Sequence, residues 1–438
     1  MITLGTDSIT GNPYRFDPMR HICLVGATGV GKTSAAEHIF CEFVRQGNGG
    51  LAMDIHGDFA NRLALILPSS IMRRDFIWYN PTEDSVPPFN PLYFTDPTAL
   101  EAAKEMCVSL LKALSGSDEA SRSSAMGNET PHRFRSALDA VTEQVKDPTL
   151  VHVVRYVLDD EYRLDIINRS TNPFVKLFNK GFHKLAQKDQ ATKMAPLINK
   201  LSRLMRPSIL PTIGTSESLD PLEIMNTRKV MVCRISKGQL GEEPAMILYS
   251  LIISMFAISA MRREAQIDRP EFMILADEAQ NGVHGGLFGT LLAEARKYAI
   301  SLVTAFQSAS QMPIMDDVLT NAGTQIVFNC SGADADLFAK NWRTSLYGSS
   351  SEIIPRDITE LSRYEFIART FDHDQPILRR IRAPKPLKPR RESADRFIKQ
   401  SIMRWGSNRE HVQQKIEQFL LGGSPRPSSS RSKPRVRS

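Results

Sequence analysis

The chain is poor in cysteine: Cys23, Cys41, Cys107, Cys233 and Cys330 are scattered over 438 positions with no Cys-x-x-Cys pair. That spacing excludes a disulfide-stapled scaffold and a cysteine-ligated zinc module, and makes a reducing compartment the default. Tryptophan is scarce as well. Trp78, Trp342 and Trp405 stand alone in sequence and offer no base-stacking platform. No N-terminal stretch has the charged, apolar and small-residue order of a secretory signal. One uncharged run, the 17 residues Ala245–Met261, approaches the lower length limit for a bilayer span. It contains Ser250, Ser254 and Ser259 and lies between two strand-like runs, which fits a helix buried all round against a sheet. The expectation is a soluble, cytoplasmic chain without a transmembrane segment.

What is present is the balance of a globular protein with a core, 42% hydrophobic and 24% charged. The length suits one large domain with an insertion, or two to three domains of ordinary size. The net charge of +7 is unevenly placed. From Arg379 to Ser438 there are 17 Lys+Arg against 4 Asp+Glu, a local charge of +13 that leaves the rest near −6. The basic character belongs to the C-terminal stretch.

Two parts of the chain read as α/β, with a helical part between them. His21–Val25 is a short apolar run ending in a Gly-rich loop, a helix pattern covers Lys32 to Arg45, and Leu51–Met53 is a second buried strand. Together these make a βαβ unit. From Asp96 to Pro211 only helical signals occur. Leu100–Leu114 and Lys193–Met205 are amphipathic, and Thr130-Pro131 and Asp147-Pro148 each suggest an N-cap with proline at the first helical position. Ser115–Asn128 reads as a mobile polar loop. Strands resume at Val230–Ile235, Phe272–Ala276, Ile300–Ala305, Gln325–Asn329 and Tyr364–Ala368. Beyond Ala383, one short amphipathic helix is expected at Arg409–Leu420, and Gly422–Ser438 has the composition of a disordered basic tail.

The residues that carry chemistry begin with GATGVGKT, Gly26–Thr33, which fits G-x-x-x-x-G-K-[ST] in the required place between strand and helix. Gly26, Ala27, Thr28, Gly29, Val30 and Gly31 form a nest of backbone N–H groups for phosphates, at the positive end of the helix that continues through Ser34. Lys32 would reach the β- and γ-phosphates of ATP, and the Thr33 hydroxyl would ligate Mg²⁺. The apolar strand Phe272–Ala276 ends in Asp277-Glu278. Asp277 would hold Mg²⁺ through water and Glu278 would act as general base. Gln307 follows the strand Ile300–Ala305, where ligands of parallel sheets bind, and could sense the γ-phosphate or position water. Arg296 is either a solvated helix-end arginine or an arginine finger acting in a neighbouring subunit. His56 with Asp54 and Asp58 could suggest a metal site, but a turn after a buried strand explains them. His21 reads as a packing residue or a nucleotide-edge contact.

The ordered set resembles the HerA/FtsK superfamily, and within it the coupling-protein-like ATPases of type IV secretion and conjugation. It comprises GATGVGKT, Asp54-Ile55-His56-Gly57-Asp58, Phe89-Asn90-Pro91-Leu92, Ser236–Gly241, Asp277-Glu278-Ala279-Gln280, Glu294–Tyr298 with Gln307, and Asn321–Thr324 before Gly332–Ala335. The resemblance covers residues 1–385. It implies an α/β, RecA-like P-loop NTPase domain with an all-α insertion, divided as 1–95 and 216–383 for the motor, 96–215 for the insertion and 384–438 for the basic tail. It further implies a homo-hexameric, ring-forming DNA translocase, with the finger role on Arg296 and the sensor role on Gln307. Secretion-channel or DNA-processing proteins are the implied partners. Many coupling proteins begin with transmembrane helices, whereas here the loop starts at Gly26, so any inner-membrane association would come through partners. An ATPase that powers protein secretion or assembly, and a viral genome-packaging motor, are the rival readings within the same superfamily. A scaffold with a dead site fares worst, because Lys32, Asp277 and Glu278 are all present.

Overall fold

The computed structural model describes residues 1–114, 125–285, 287–342, 353–372, 375–390 and 392–422. Most of Ser115–Asn128 and the segment 423–438, expected as a loop and a basic tail, lie outside the described residues. The strands are β1 (Ile2–Asp7), β2 (Pro13–Phe16), β3 (Ile22–Val25), β4 (Gly49–Asp54), β5 (Phe76–Tyr79), β6 (Ser85–Val86), β7 (Val230–Arg234), β8 (Phe272–Asp277), β9 (Ile300–Phe306), β10 (Thr324–Phe328), β11 (Glu365–Asp372), β12 (Gln375–Arg382) and β13 (Ser407–Asn408). Eleven of them form one sheet in the order β2-β1-β12-β11-β10-β3-β9-β8-β4-β7-β5.

From β10 to β5 every neighbouring pair is parallel. Strands covered on both faces must be apolar throughout, and β3, β4, β5, β9 and β10 are buried at every residue. The other edge is antiparallel, and the hairpin β11–β12 carries it out to β1 and β2. Sequence reading missed the short buried strand β5 of the parallel part, and it missed β1, β2 and β12 on the antiparallel side, where the reason is visible. Strands on this side of the sheet are half-polar, and β12 (QPILRRIR) fully buries only Leu378 and Ile381, with Arg379 and Arg380 half-buried and Arg382 exposed.

Two helices cover one face near the loop. The first, α1 (Lys32–Arg45), follows β3, and the second, α2 (Asp58–Ile66), follows β4. The other face is covered by Glu242–Met261, buried continuously from Ile247 to Ala260. This helix is long and apolar enough to cross a bilayer, but 89% of its apolar window is buried inside the fold, which makes it a core helix. The helices between β6 and β7 pack behind it, and their Phe134, Leu138 and Leu197 belong to the same hydrophobic cluster as Ile274 and Leu302 of the sheet.

Two expected helix starts are corrected. Pro131 lies inside the helix Ala125–Gln144 rather than at its first turn. An interior proline forfeits one backbone hydrogen bond, and the burial of Phe134, Leu138 and Val141 on that helix offsets the loss. The next helix, Leu150–Leu158, has Thr149 rather than Asp147 at its N-cap, and the His152 ring accepts from Thr149 N at 3.2 Å. The C-terminal stretch holds two helices where one was expected. Ala394–Trp405 packs its Phe397 face on β5, and the Ser401 hydroxyl accepts from Trp78 N at 2.7 Å and donates to Phe76 O at 3.2 Å. Its apolar residues Phe397, Ile398 and Ile402 fall at helical spacing and pack on the sheet, so this helix was legible in the sequence although it was not among the expected ones. Arg409–Leu420 forms as expected and sets Val412 and Ile416 against Val151 and Leu210 of the helical part.

Candidate functional site

The sheet topology brings the expected residues to one edge. Loop Gly26–Gly31 leaves the C-terminal end of β3. One strand away, β9 ends at Phe306, just before Gln307, and β8 beyond it ends at Asp277. The glycines are dictated by space and dihedral. A Cβ on Gly26 would lie 2.7 Å from the Cβ of Phe328, and Gly31, which starts α1, has φ +117° with Tyr364 equally close to its missing side chain. Neither position accepts a larger residue without displacing the loop. Val30 packs inward while its carbonyl accepts from Tyr364 N at 2.8 Å. Ala27 N donates to Asn329 O at 2.9 Å, so β10 and the turn before β11 clamp the loop from one side.

An open cleft of about 550 Å³ runs over this loop. Ala27, Thr28, Gly29, Thr33 and Ser34 line it, with Asp277, Glu278 and Gln307 opposite. Lys32 is buried there, its Nζ 3.2 Å from Gly26 O. Burial lowers the Lys32 ammonium from its ordinary value, while the charges of Glu278 and Asp277 pull the other way. Gln307 is the link between loop and strand end. Its Nε2 donates to Glu278 Oε1 at 3.0 Å, and its Oε1 accepts from Thr28 Oγ1 at 3.3 Å. Gln280 Nε2 donates to the second Glu278 oxygen at 2.6 Å, and Asn281 holds the Glu278 carbonyl. Glu278 needs such holding, because its φ of +52° is a left-handed value that a non-glycine residue adopts only where its surroundings enforce it.

The electrostatics test whether a divalent cation would fit. Asp277 is pushed up to about 7 by burial first, then by the charges of Asp54 and Glu278, with Lys32 opposing. Three carboxylates therefore crowd a single ammonium, a donor set short of positive charge that a bound cation would relieve. Among the described residues no group of three His, Cys, Asp or Glu forms a cage for a metal. That matches Mg²⁺ bound through one carboxylate, a hydroxyl and substrate phosphates rather than by protein alone.

Arg296 is not brought to this cleft. It lies exposed on the turn Ala295–Tyr298 that precedes β9, hence at the opposite edge of the parallel strands, where its charge acts on His21. His21 is a buried packing residue, with Nδ1 accepting from Leu302 N at 3.0 Å. The Asp54–Asp58 segment is the turn expected of it, since the Asp54 carboxylate accepts from His56 N and Ala60 N at 2.8 Å and caps α2. That same carboxylate also lines the cleft, which sequence reading missed although its place at a strand end was the available signal. Five other residues were missed as well. Tyr249 of the core helix donates to Asp277 O at 2.8 Å. The buried Glu37 of α1 pairs bidentately with Arg62 of α2. Arg363 and Tyr364 enter the cleft from the turn before β11. None is legible locally, because each reaches the site through a contact distant in sequence.

With this geometry in hand, comparison with known proteins is informative. A family described as Helicase HerA, central domain, matches residues 13–238. No curated protein matches the chain in sequence. Among solved structures, the bacterial conjugative coupling protein TrwBdeltaN70 is similar at 14% identity, with a TM-score of 0.62 over 89% of this chain and 90% of that one. The plasmid coupling protein TrwB in complex with the ATP analogue ADPNP gives 13% identity and a TM-score of 0.62, covering 89% and 92%. VirB4 of Thermoanaerobacter pseudethanolicus gives 15% identity and a TM-score of 0.58, covering 88% and 97%. At these identities the likeness is one of fold, the RecA-like P-loop architecture.

Proposed function

The chain belongs to the HerA central-domain family of P-loop ATPases, and from that premise we propose that it hydrolyses ATP to drive DNA through a ring of identical subunits, in the manner of a conjugative coupling protein or a HerA-like translocase. The observation that carries the reading is the convergence of Lys32, Asp277, Glu278 and Gln307 on one cleft while Arg296 faces away from it. A site complete in its phosphate cradle and base, with its candidate finger on the opposite edge, suits a head-to-tail ring in which each subunit completes its neighbour's site.

In this proposal the loop N–H groups and Lys32 bind the phosphates, and Thr33 and Asp277 hold Mg²⁺. The cation, when bound, offsets charge on the β- and γ-phosphate oxygens. Glu278, oriented by Gln280 and Gln307, accepts the proton of the attacking water, and Gln307 relays the state of the phosphate end to Thr28. The hexamer, the DNA substrate and the secretion or DNA-processing partners are implied by the family resemblance, and the coupling-protein fold matches support the same reading. The division into a motor (1–95 and 216–383), an all-helical insertion (96–215) and a basic C-terminal stretch belongs to this proposal too. The decisive experiment is the ATPase rate of the full chain with and without single- and double-stranded DNA. Stimulation by either supports translocation of DNA. A rate that neither changes would move the reading to an ATPase that powers protein secretion.

A further inference from the structure

The turn that carries Arg296 is held by two arginines from elsewhere in the fold. It is a short 3₁₀ segment, Ala295–Tyr298, in which Ala295 and Tyr298 are buried and Arg296 is exposed. It closes at Ala299, whose φ of +57° is a left-handed value that alanine keeps only where its surroundings enforce it. The last carbonyls of a helical segment have no partner within it. Here Tyr298 O accepts from Arg263 Nη1 at 2.8 Å, and Lys297 O accepts from Arg269 Nη1. Both donors follow the core helix Glu242–Met261 in the chain. Arg263 Nη2 also donates to Pro270 O, just before β8, so one guanidinium joins the entry of β8 to the turn that enters β9. We propose that Arg263 is the positioning residue for Arg296: by fixing the Tyr298 carbonyl, its guanidinium sets the direction in which the exposed arginine reaches the neighbouring subunit's phosphates. The inference rests on the reading of Arg296 as a finger acting in trans, and it names the group that holds the finger in place.

The cost of Arg263 argues for such a task. The residue is completely buried, and burial, followed by the charge of Arg269, lowers its guanidinium to about 10. An apolar side chain would fill the same space without desolvating a charge, so packing alone does not account for an arginine there. Two bonds to main-chain carbonyls do account for it, because they fix a turn that bears an exposed residue. The core helix also holds the other half of the chemistry. The Tyr249 hydroxyl donates to Asp277 O at 2.8 Å, and Ser250 Oγ donates to Asn281 O at 2.9 Å. One element and its continuation thus set both the strand end that bears Glu278 and the turn offered to the next subunit. Misplacing a catalytic group by about 1 Å can cost about 10² in rate, which is the scale expected when the turn is released.

The test is a double-mutant cycle on the full chain, with phosphate release giving kcat and mant-ATP fluorescence giving affinity. Arg263→Met should lower kcat by about 10² and leave nucleotide affinity within about threefold of wild type. In an Arg296→Ala background, followed by single turnover, Arg263→Met should change the rate by less than about threefold, since a residue that acts only through another has nothing left to position. Losses that multiply in the double variant refute the proposal, as does an Arg263→Met chain with the wild-type kcat, because Arg263 would then serve the fold alone. If the methionine chain does not fold, Arg263→Gln, which keeps a donor on a shorter side chain, takes its place in the same cycle. A fully active Arg296→Ala chain, or a wild-type chain without ATP turnover, overturns instead the reading on which the proposal rests.

Discussion

Replacing Glu278 by glutamine separates binding from turnover. The carboxylate is nearly buried, with one oxygen 3.0 Å from Gln307 Nε2 and the other 2.6 Å from Gln280 Nε2. An amide of the same shape keeps the hydrogen bond to one glutamine and loses it to the other, and it can no longer accept a proton from water. General-base catalysis contributes about 10²–10⁴ in rate, so kcat should fall by that factor, equivalent to about 2.7–5.5 kcal/mol. Folding should be little affected. The left-handed backbone at position 278 is as unfavourable for glutamine as for glutamate, so that strain cancels in the comparison. Removing one of the carboxylate charges that push Asp277 up to about 7 relieves repulsion and works against the lost hydrogen bond. Fluorescent-nucleotide binding should therefore match wild type, as should the melting temperature, while steady-state phosphate release nearly stops. Phosphate release within about threefold of wild type would refute the base assignment, since a factor that small is below any general-base contribution.

Lys32→Ala should lose nucleotide binding without unfolding, and Arg296→Ala should bind nucleotide yet hydrolyse it about 10³–10⁵ more slowly. Mixing the two inactive proteins checks both at once, because partial recovery of activity requires an intact loop in one subunit to meet an intact arginine from the next. A fully active Arg296→Ala chain would reduce that residue to an ordinary exposed charge. Ser401→Ala should destabilise the chain by about 1–3 kcal/mol in chemical denaturation, because it strips partners from Trp78 N and Phe76 O of β5, the last strand of the sheet. Acidification should destabilise through the buried His21 and the half-buried His152, both held down to about 4 chiefly by desolvation. His21 is further lowered by Arg296, and His152 by Arg155. Each Nδ1 accepts a backbone N–H, so the folded state keeps the rings neutral while the unfolded chain protonates them near 6.5. Their contribution is present above pH 6.5 and lost as pH falls toward 4, with uptake of about two protons on unfolding. A melting temperature that does not respond to pH across that window in wild type, or responds equally in His21→Asn and His152→Asn variants, contradicts the assignment.

What the sequence determined by itself is the local machinery. Strand, Gly-rich loop and helix are adjacent in the chain, and their spacing alone is enough to cradle phosphates, so Gly26–Thr33 and the helix from Lys32 to Arg45 were legible without tertiary information. The strand ending in Asp277-Glu278 was legible for a related reason, since a run buried on both faces must be apolar up to the residue that emerges into the site. The core helix Glu242–Met261 and the helix Arg409–Leu420 were readable from their apolar content and periodicity. Tertiary structure decided the rest. The order of strands sets Gln307 between Thr28 and Glu278 and turns Arg296 toward the opposite edge, and neither follows from residue spacing. The hairpin β11–β12 returns Tyr364 to Gly31 across 333 residues of chain, and the Glu37–Arg62 pair closes only once α1 and α2 lie side by side on the sheet. Half-polar strands on the antiparallel side of the sheet carry too little periodic signal to be seen locally. Their burial is conferred by the partners they meet, and which partners those are is fixed only when the whole sheet has assembled.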